Sequence, residues 1–363
     1  MKRIIALLLV LCLLLCACGK KQDAVETTGD TTPSTSDTVP QDTTEETQET
    51  TEAVKKMYQH PLTGEALEEP WSGRATAVMI NNYPEAMPQC GTSQVDILCE
   101  VEVESSITRC LAVFSDLSDV GYIGSIRSAR TPFCSLAASF DAPLVHCGGS
   151  NYALNAQYGA STDKIPNWMH IDEIPNPRYF FRNQDRLNAD YAYEHTLFTT
   201  GESLMKALED FEYNTPTEKT SFGFEFQEGI QLDGEKAEEI TITFKGSKTT
   251  KMTYDTTTGL YKMFQHRQDN VDGNSGKVLT FKNILVLYTE MWLSPNGVNV
   301  FHETLGSGEG YAAVNGQIVP ILWSRPTVTD PYTYTLADGT PLVLDVGTTY
   351  LALVGAKHPI AYQ

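Results

Sequence analysis

Gly124-Ser-Ile-Arg127-Ser128-Ala-Arg130-Thr-Pro132 sets two guanidiniums and a hydroxyl immediately before an expected helix start. A helix N-terminus offers unpaired amides and a positive dipole end, and arginine adds planar paired donors suited to phosphate or carboxylate. Arg127, Ser128 and Arg130 are therefore candidate anion-binding residues. His146 closes an apolar run just ahead of Gly148-Gly149-Ser150. Ligands of α/β sheets gather at the carboxyl ends of strands, so His146 and Ser150, with Asp96, Glu100 and Arg109 from neighbouring strands, are candidates for the same pocket. Alternatively, Arg127 and Arg130 pair with acids such as Asp96, Glu100 or Glu104 and brace the fold. His146 is then a hydrogen-bonded core residue and Ser150 a helix cap.

Other chemistry finds less support. The Gly-x-Ser-x-Gly hydrolase elbow, the Walker motif and the dinucleotide fingerprint are absent, and the seven histidines lack His-x-x-x-His spacing. No metal, cofactor or catalytic residue is assigned. Gly306-Ser-Gly-Glu-Gly310 lies between two β segments and reads as a hairpin loop.

The elements that would hold these residues follow from periodicity. Ala75–Ile80 reads as a buried strand ending in the turn Asn81-Asn82-Tyr83-Pro84. Val95–Val103 alternates, with Asp96, Glu100 and Glu102 on the side away from the apolar face. Ile107–Phe114 is its hairpin partner. Thr131-Pro132 reads as N-cap and first helical residue of a helix through Phe140. Ala142–Cys147 is another strand, and Ser150 caps a helix from Asn151 to Tyr158. Thr199 and Glu202 have capping-box spacing for a helix through Asp210. Beyond Phe222 come short strands separated by turn signals, among them Asn315-Gly316 and Asp338-Gly339. The fold class expected is an α/β N-terminal domain (mixed sheet with helices) over residues 57–215, then a mostly β C-terminal domain over 222–363.

The start of the chain carries a different signal. Lys2 and Arg3 precede an apolar run from Ile4 to Leu15, followed by Leu15-Cys16-Ala17-Cys18. This is a secretory leader ending in a lipobox, with cleavage before Cys18 and acyl chains on that cysteine. The run of about 12 residues is short of the roughly 20 that span a bilayer. Residues 19–56 read as a disordered, acidic, Thr-rich tether. From Gln22 to Ala53 there is no aromatic, Leu, Ile, Lys or Arg, and nine acids supply much of the chain's net charge of -20. The expected location is the extracytoplasmic face of the membrane, lipid-anchored, where two acyl chains hold well. The acidic balance and the lack of a basic stripe exclude nucleic acid as a partner.

Cys90, Cys99, Cys110, Cys134 and Cys147 are an odd set without a Cys-x-x-Cys pair. Cys99 and Cys110 would lie directly opposite if the hairpin loop were Glu104-Ser105. Buried free thiols are the alternative.

Several blocks together resemble the domain of unknown function 3048, a family of bacterial surface lipoproteins. They are Arg74-Ala-Thr-Ala-Val-Met-Ile-Asn-Asn82, Pro88-Gln89, Ser93-Gln-Val-Asp-Ile97, Glu104-Ser-Ser-Ile-Thr-Arg109, Gly124-Ser-Ile-Arg-Ser-Ala-Arg130 and Val145-His-Cys-Gly-Gly-Ser150. The family pattern has Asp where Asn81 stands and Gly-Gly where Ser105-Ser106 stand. The resemblance implies an α/β domain, a β-rich C-terminal domain and a lipid anchor, and it supplies no activity. Two functions are expected from the sequence. One is a non-catalytic lipoprotein that binds a cell-wall component or envelope protein. The other is an enzyme processing cell-wall glycopolymers or phosphate esters through a pyrophosphate-like ligand. Asp96 and the arginine turn resemble, by analogy alone, the LytR-CpsA-Psr glycopolymer transferases.

Overall fold

The computed structural model describes residues 57–157 and 169–363. The leader, Cys18, the tether and the end of the helix expected to reach Tyr158 lie outside the described residues. The central element is an eleven-stranded mixed sheet. Nine of its strands, in spatial order up to one edge, are Gln317–Arg325, Gly306–Val314, Asn283–Thr289, Thr349–Gly355, Ile97–Glu102, Thr108–Phe114, Thr76–Asn81, Leu144–His146 and the edge strand His170–Asp172. Thr349–Gly355 pairs in parallel with both Asn283–Thr289 and Ile97–Glu102. Strands from before residue 215 and after residue 222 thus form one hydrogen-bonded sheet. The segments expected as separate domains are joined through it, because a strand with two open edges is completed by partners distant in sequence.

Both faces of the sheet are covered. On one side Ala77, Met79, Cys99, Val101, Leu111, Leu285 and Leu351 pack with Phe133, Leu136 and Ala137 of the helix Thr131–Ser139. On the other, Val78, Ile80, Leu98, Cys110, Ala112, Val286 and Ala352 meet Ile240, Ile242, Met252 and Met263 of a second, six-stranded sheet. A doubly covered sheet needs apolar groups on both faces. Glu100 and Glu102, on the face opposite Cys99 and Val101, lie under this second cover and are 0% and 1% exposed. The molecule is strand-rich, with few helices, and among the described residues none of these is long and apolar enough to cross a membrane.

Local expectations hold in part. Asn315-Gly316 makes the tight turn between Gly306–Val314 and Gln317–Arg325, both residues at positive φ (49° and 77°). The glycine-rich 306–310 stretch is strand, not loop. A Cβ on Gly308 would meet the Trp323 indole at 2.7 Å, and one on Gly310 the Val286 carbonyl oxygen at 2.3 Å. The glycines admit close neighbours within the sheet. Arg130, not Thr131, is the N-cap of the Thr131–Ser139 helix, and Thr200, not Thr199, caps Gly201–Asp210 by accepting from Ser203 N. The hairpin after Ile97–Glu102 turns through Glu104–Ser106. Cys99 therefore faces Leu111 and Cys110 faces Glu100. The two thiols point to opposite sides of the sheet, and the five cysteines are free.

Candidate functional site

The strands Thr76–Asn81, Ile97–Glu102, Leu144–His146, His170–Asp172, Asn283–Thr289 and Thr349–Gly355 run in one direction, which puts their carboxyl ends along one edge. The Arg127–Arg130 segment crosses this edge beside Cys147–Ser150. Cys147 N donates to Arg127 O (3.2 Å), Ala129 N to Gly148 O (2.9 Å) and Ser150 N to Ala129 O (3.2 Å). The two motifs singled out in the sequence thus meet through their backbones.

Their side chains take the bracing role. Arg130 Nε donates to both Glu104 oxygens (3.0 and 2.9 Å), and its Nη2 also contacts Glu104. Arg109 Nη2 lies 3.5 Å from Glu104 Oε1, and its Nη1 donates to the Ser128 backbone oxygen. Arg127 donates to the Glu194 carbonyl (3.1 Å). Glu104 is the acid that serves, from among the three the sequence offered. Burial works to raise its pKa, but Arg130 and Arg109 hold it below the usual range. Burial, then the neighbouring Arg130 charge, pushes Arg109 down to about 9.

The other expected pocket members are dispersed. Asp96 stands before the start of its strand, its Oδ2 accepting from Ser115 N (2.5 Å), whereas Arg109 pairs with Val101. At about 3.3 Å per residue the separation along the strand is about 16 Å. His146 is fully buried, donates from Nδ1 to Gly148 O (2.9 Å) and stacks on His170. Burial lowers its pKa to about 4. Asp172 Oδ1 accepts from Gly148 N (2.8 Å), so this group shapes the glycine turn. Ser150 Oγ accepts from Ala153 N (3.2 Å), the capping role.

Glu100 projects to the opposite face from Arg109. It accepts from Asn82 Nδ2 (2.9 Å), Thr108 Oγ1 (2.6 Å), Thr250 Oγ1 (2.7 Å), Gln265 Nε2 (2.7 Å) and Tyr350 OH (2.6 Å), and Lys248 Nζ is 3.2 Å away. Burial alone would raise its pKa. Lys248 and the hydroxyl donors outweigh that and keep it lowered. Beside this network is a cavity of about 580 Å³ lined by Asn82, Tyr83, Ser106, Lys248, His266 and Arg267 among others. His266 and Arg267 both have positive φ (52° and 66°), as do Ser105 and Ser106 (63° and 55°). Non-glycine residues pay a steric cost there. Burial, with Lys248 beside it, pushes His266 down to about 4. Sequence reasoning missed Lys248, Thr250, Gln265, His266 and Tyr350, because each arrives from more than 140 residues beyond Glu100 and no local spacing links them.

Two family profiles match the chain. Residues 62–214 match the N-terminal domain of the protein of unknown function DUF3048, and residues 240–351 match its C-terminal domain. The chain belongs to the DUF3048 family. "Putative lipoprotein YerB" of Bacillus subtilis (strain 168) is 25% identical over 276 residues, 74% of this chain and 79% of that one. The crystal structure of YerB protein from Bacillus subtilis aligns with a TM-score of 0.70 at 24% identity, covering 84% of this chain and 99% of that one. The fold is shared. In this DUF3048 chain, Ser105-Ser106 holds a left-handed backbone that glycine would adopt without steric cost. Asn81 Nδ2 donates to His195 Nδ1 (2.9 Å) while its Oδ1 accepts from Tyr83 N (3.1 Å). The amide uses both of its functions there, one of which a carboxylate lacks.

Proposed function

We propose that this chain is a lipoprotein anchored through Cys18 at the extracytoplasmic face of the membrane, with a non-catalytic binding role toward a cell-wall component or envelope protein. Its helix-bearing 57–215 and β-rich 222–363 stretches then act as two family modules that complete one sheet. The observation that carries the non-catalytic reading is Glu104. One carboxylate takes up Arg130 and Arg109 together, so the groups that looked like an anion site support each other instead. Ser150 and His146 are likewise committed to a helix cap and a glycine turn. The leader and the relative named a lipoprotein support the anchor.

A second reading, an enzyme acting on phosphate esters or glycopolymers, draws on the cavity lined by Lys248, His266 and Arg267. Thermal-shift titration of the full-length chain in detergent with pyrophosphate and polyprenyl phosphate separates the two. In the binding reading Arg130→Ala lowers Tm with and without phosphate alike. A phosphate-dependent rise in Tm that is lost in Arg267→Ala, with the ligand-free Tm unchanged, would place a phosphate ligand in this cavity, and its turnover would then establish the enzyme reading. Mass spectrometry of the native N-terminus checks for acyl chains on Cys18.

A further inference from the structure

A larger cavity, of about 770 Å³, opens on the same edge over three adjacent parallel strands, Asn283–Thr289, Thr349–Gly355 and Ile97–Glu102. The volume lies within the range of about 300–1,000 Å³ usual for small-molecule sites, and carboxyl ends of strands are where α/β sheets receive ligands. Its lining includes Glu102, Lys245, Thr289, Met291, Trp292 and His358.

Glu102 is the unusual member. It is 1% exposed, and its Oε1 has no hydrogen-bond partner. Oε2 accepts from Lys245 N (2.9 Å) and lies 3.7 Å from His358 Nδ1, which also lacks a hydrogen-bond partner. Buried carboxyl oxygens are nearly always paired, because stripping one of water without a donor is costly. Burial outweighs the Lys245 amide and His358 and raises the carboxyl's pKa. The opposite wall is the hairpin of Met291–Leu293 and Val300–His302. Trp292 there is 46% exposed and held edge-on against Phe301, 5.9 Å between centroids. Gly355 keeps the floor open to Met291, whose Sδ would lie 2.6 Å from a Cβ at that position.

We propose that this cavity is a carbohydrate-binding site, with Glu102 receiving a ring hydroxyl and Trp292 stacking on the sugar's C–H face. The mixed lining selects the class. An ammonium ligand would suit Glu102 and Glu290 but be repelled by Lys245 and Lys357, and an anion would meet the reverse problem. A hydroxyl donates and accepts, so it answers a carboxyl in either protonation state as well as lysine and threonine donors. An exposed indole supplies a large apolar face at low entropic cost. Oε1 is covered, so a neighbouring side chain must move for the hydroxyl to reach it, and the His358 ring, on the turn after Gly355, stands 3.7 Å from Oε2.

The proposal deepens the binding reading above and rests on it. Full-length chain in detergent is titrated calorimetrically with N-acetylglucosamine and its oligomers, and co-sedimented with purified peptidoglycan to tell free sugar from wall glycan. Saturable binding is expected in the millimolar range or tighter, weakened at least about tenfold, or roughly 1.4 kcal/mol, in Trp292→Ala at unchanged Tm. Glu102→Gln keeps an oxygen acceptor and weakens binding less than Trp292→Ala, and His358→Ala, which removes the ring beside Oε2, retains or improves it. No heat with any sugar and no co-sedimentation overturns the proposal. So does binding that Trp292→Ala leaves intact. Binding of alkylammonium probes, abolished in Glu102→Gln, would overturn the sugar class and leave the binding reading standing. Turnover of the oligomers would instead defeat the non-catalytic reading and leave the sugar class in place.

Discussion

Glu100 and Glu102 stand two residues apart on one strand and one face, both buried, yet their surroundings are opposite. Glu100 has five hydrogen bonds and an ion pair. Glu102 has one backbone donor and an oxygen with no partner. The first lies where the second sheet's Thr250 and Gln265 close over the strand. The second lies at the strand's end, where a cavity replaces that cover. Burial by itself does not separate a structural carboxylate from a binding one. A complete donor set marks the structural case, and a missing donor beside an open space marks the other.

The comparison can be broken most forcefully at Glu100. Lys248→Met leaves the carboxylate buried without its countercharge and is expected to cost about 3–5 kcal/mol in urea denaturation at neutral pH. Glu100's lowered folded-state pKa adds stability that is present above the ordinary carboxylate range and is lost as the pH falls through the folded value. Next in size is Glu104→Ala, which leaves Arg109 and Arg130 facing each other. With Glu104 19% exposed, about 2–3 kcal/mol is expected. Arg130→Ala added to it should cost less than the sum of the single changes, measured as a double-mutant cycle.

His266→Asn has the opposite sign. Asparagine tolerates positive φ better than histidine, so a gain of about 0.5–1 kcal/mol is expected at neutral pH. The gain should grow on acidification. Burial holds His266, His146 and His302 near 4, against about 6.5 in an unfolded chain. Each therefore contributes stability that is present above about 6.5 and is lost as the pH falls toward 4. Melting curves from pH 7 to 4 should show a shallower decline in the variant. The smallest effect belongs to Glu102→Gln, within about 1 kcal/mol of the parent. Its raised pKa has the reverse sign to that of Glu100, with stability present below the ordinary carboxylate range and lost as the pH rises through the folded value. A loss of several kcal/mol in this variant would make Glu102 structural and remove the contrast.

Much of the strand pattern was legible because it is local. Leu260–Gln265, Ile318–Trp323 and Tyr350–Val354 announce themselves as short apolar or alternating runs between turns, and Asn315-Gly316 as a turn needing positive φ, whereas the run Ile284–Met291 is divided after Thr289. The convergence of Arg127–Arg130 with Cys147–Ser150 was also readable, from strand ends and glycines. Alternation correctly placed Glu100 and Glu102 on the face opposite Cys99 and Val101, but it specifies two faces without saying what covers the second. Whether Cys99 and Cys110 face each other hung on the length of the turn between them. A three-residue turn instead of a two-residue one sends them to opposite sides.

By itself the sequence determined much of the strand and turn periods and the family, since each depends on residue types at short range. Only the tertiary structure decided that Glu104 would claim two arginines, that Lys248 and Tyr350 would enclose Glu100, and that Glu102 would be left with a buried oxygen lacking a donor. Those outcomes depend on which distant strands become neighbours in the shared sheet. Partner choice there is governed by complementary burial over the whole surface, a quantity that no short stretch of residues contains.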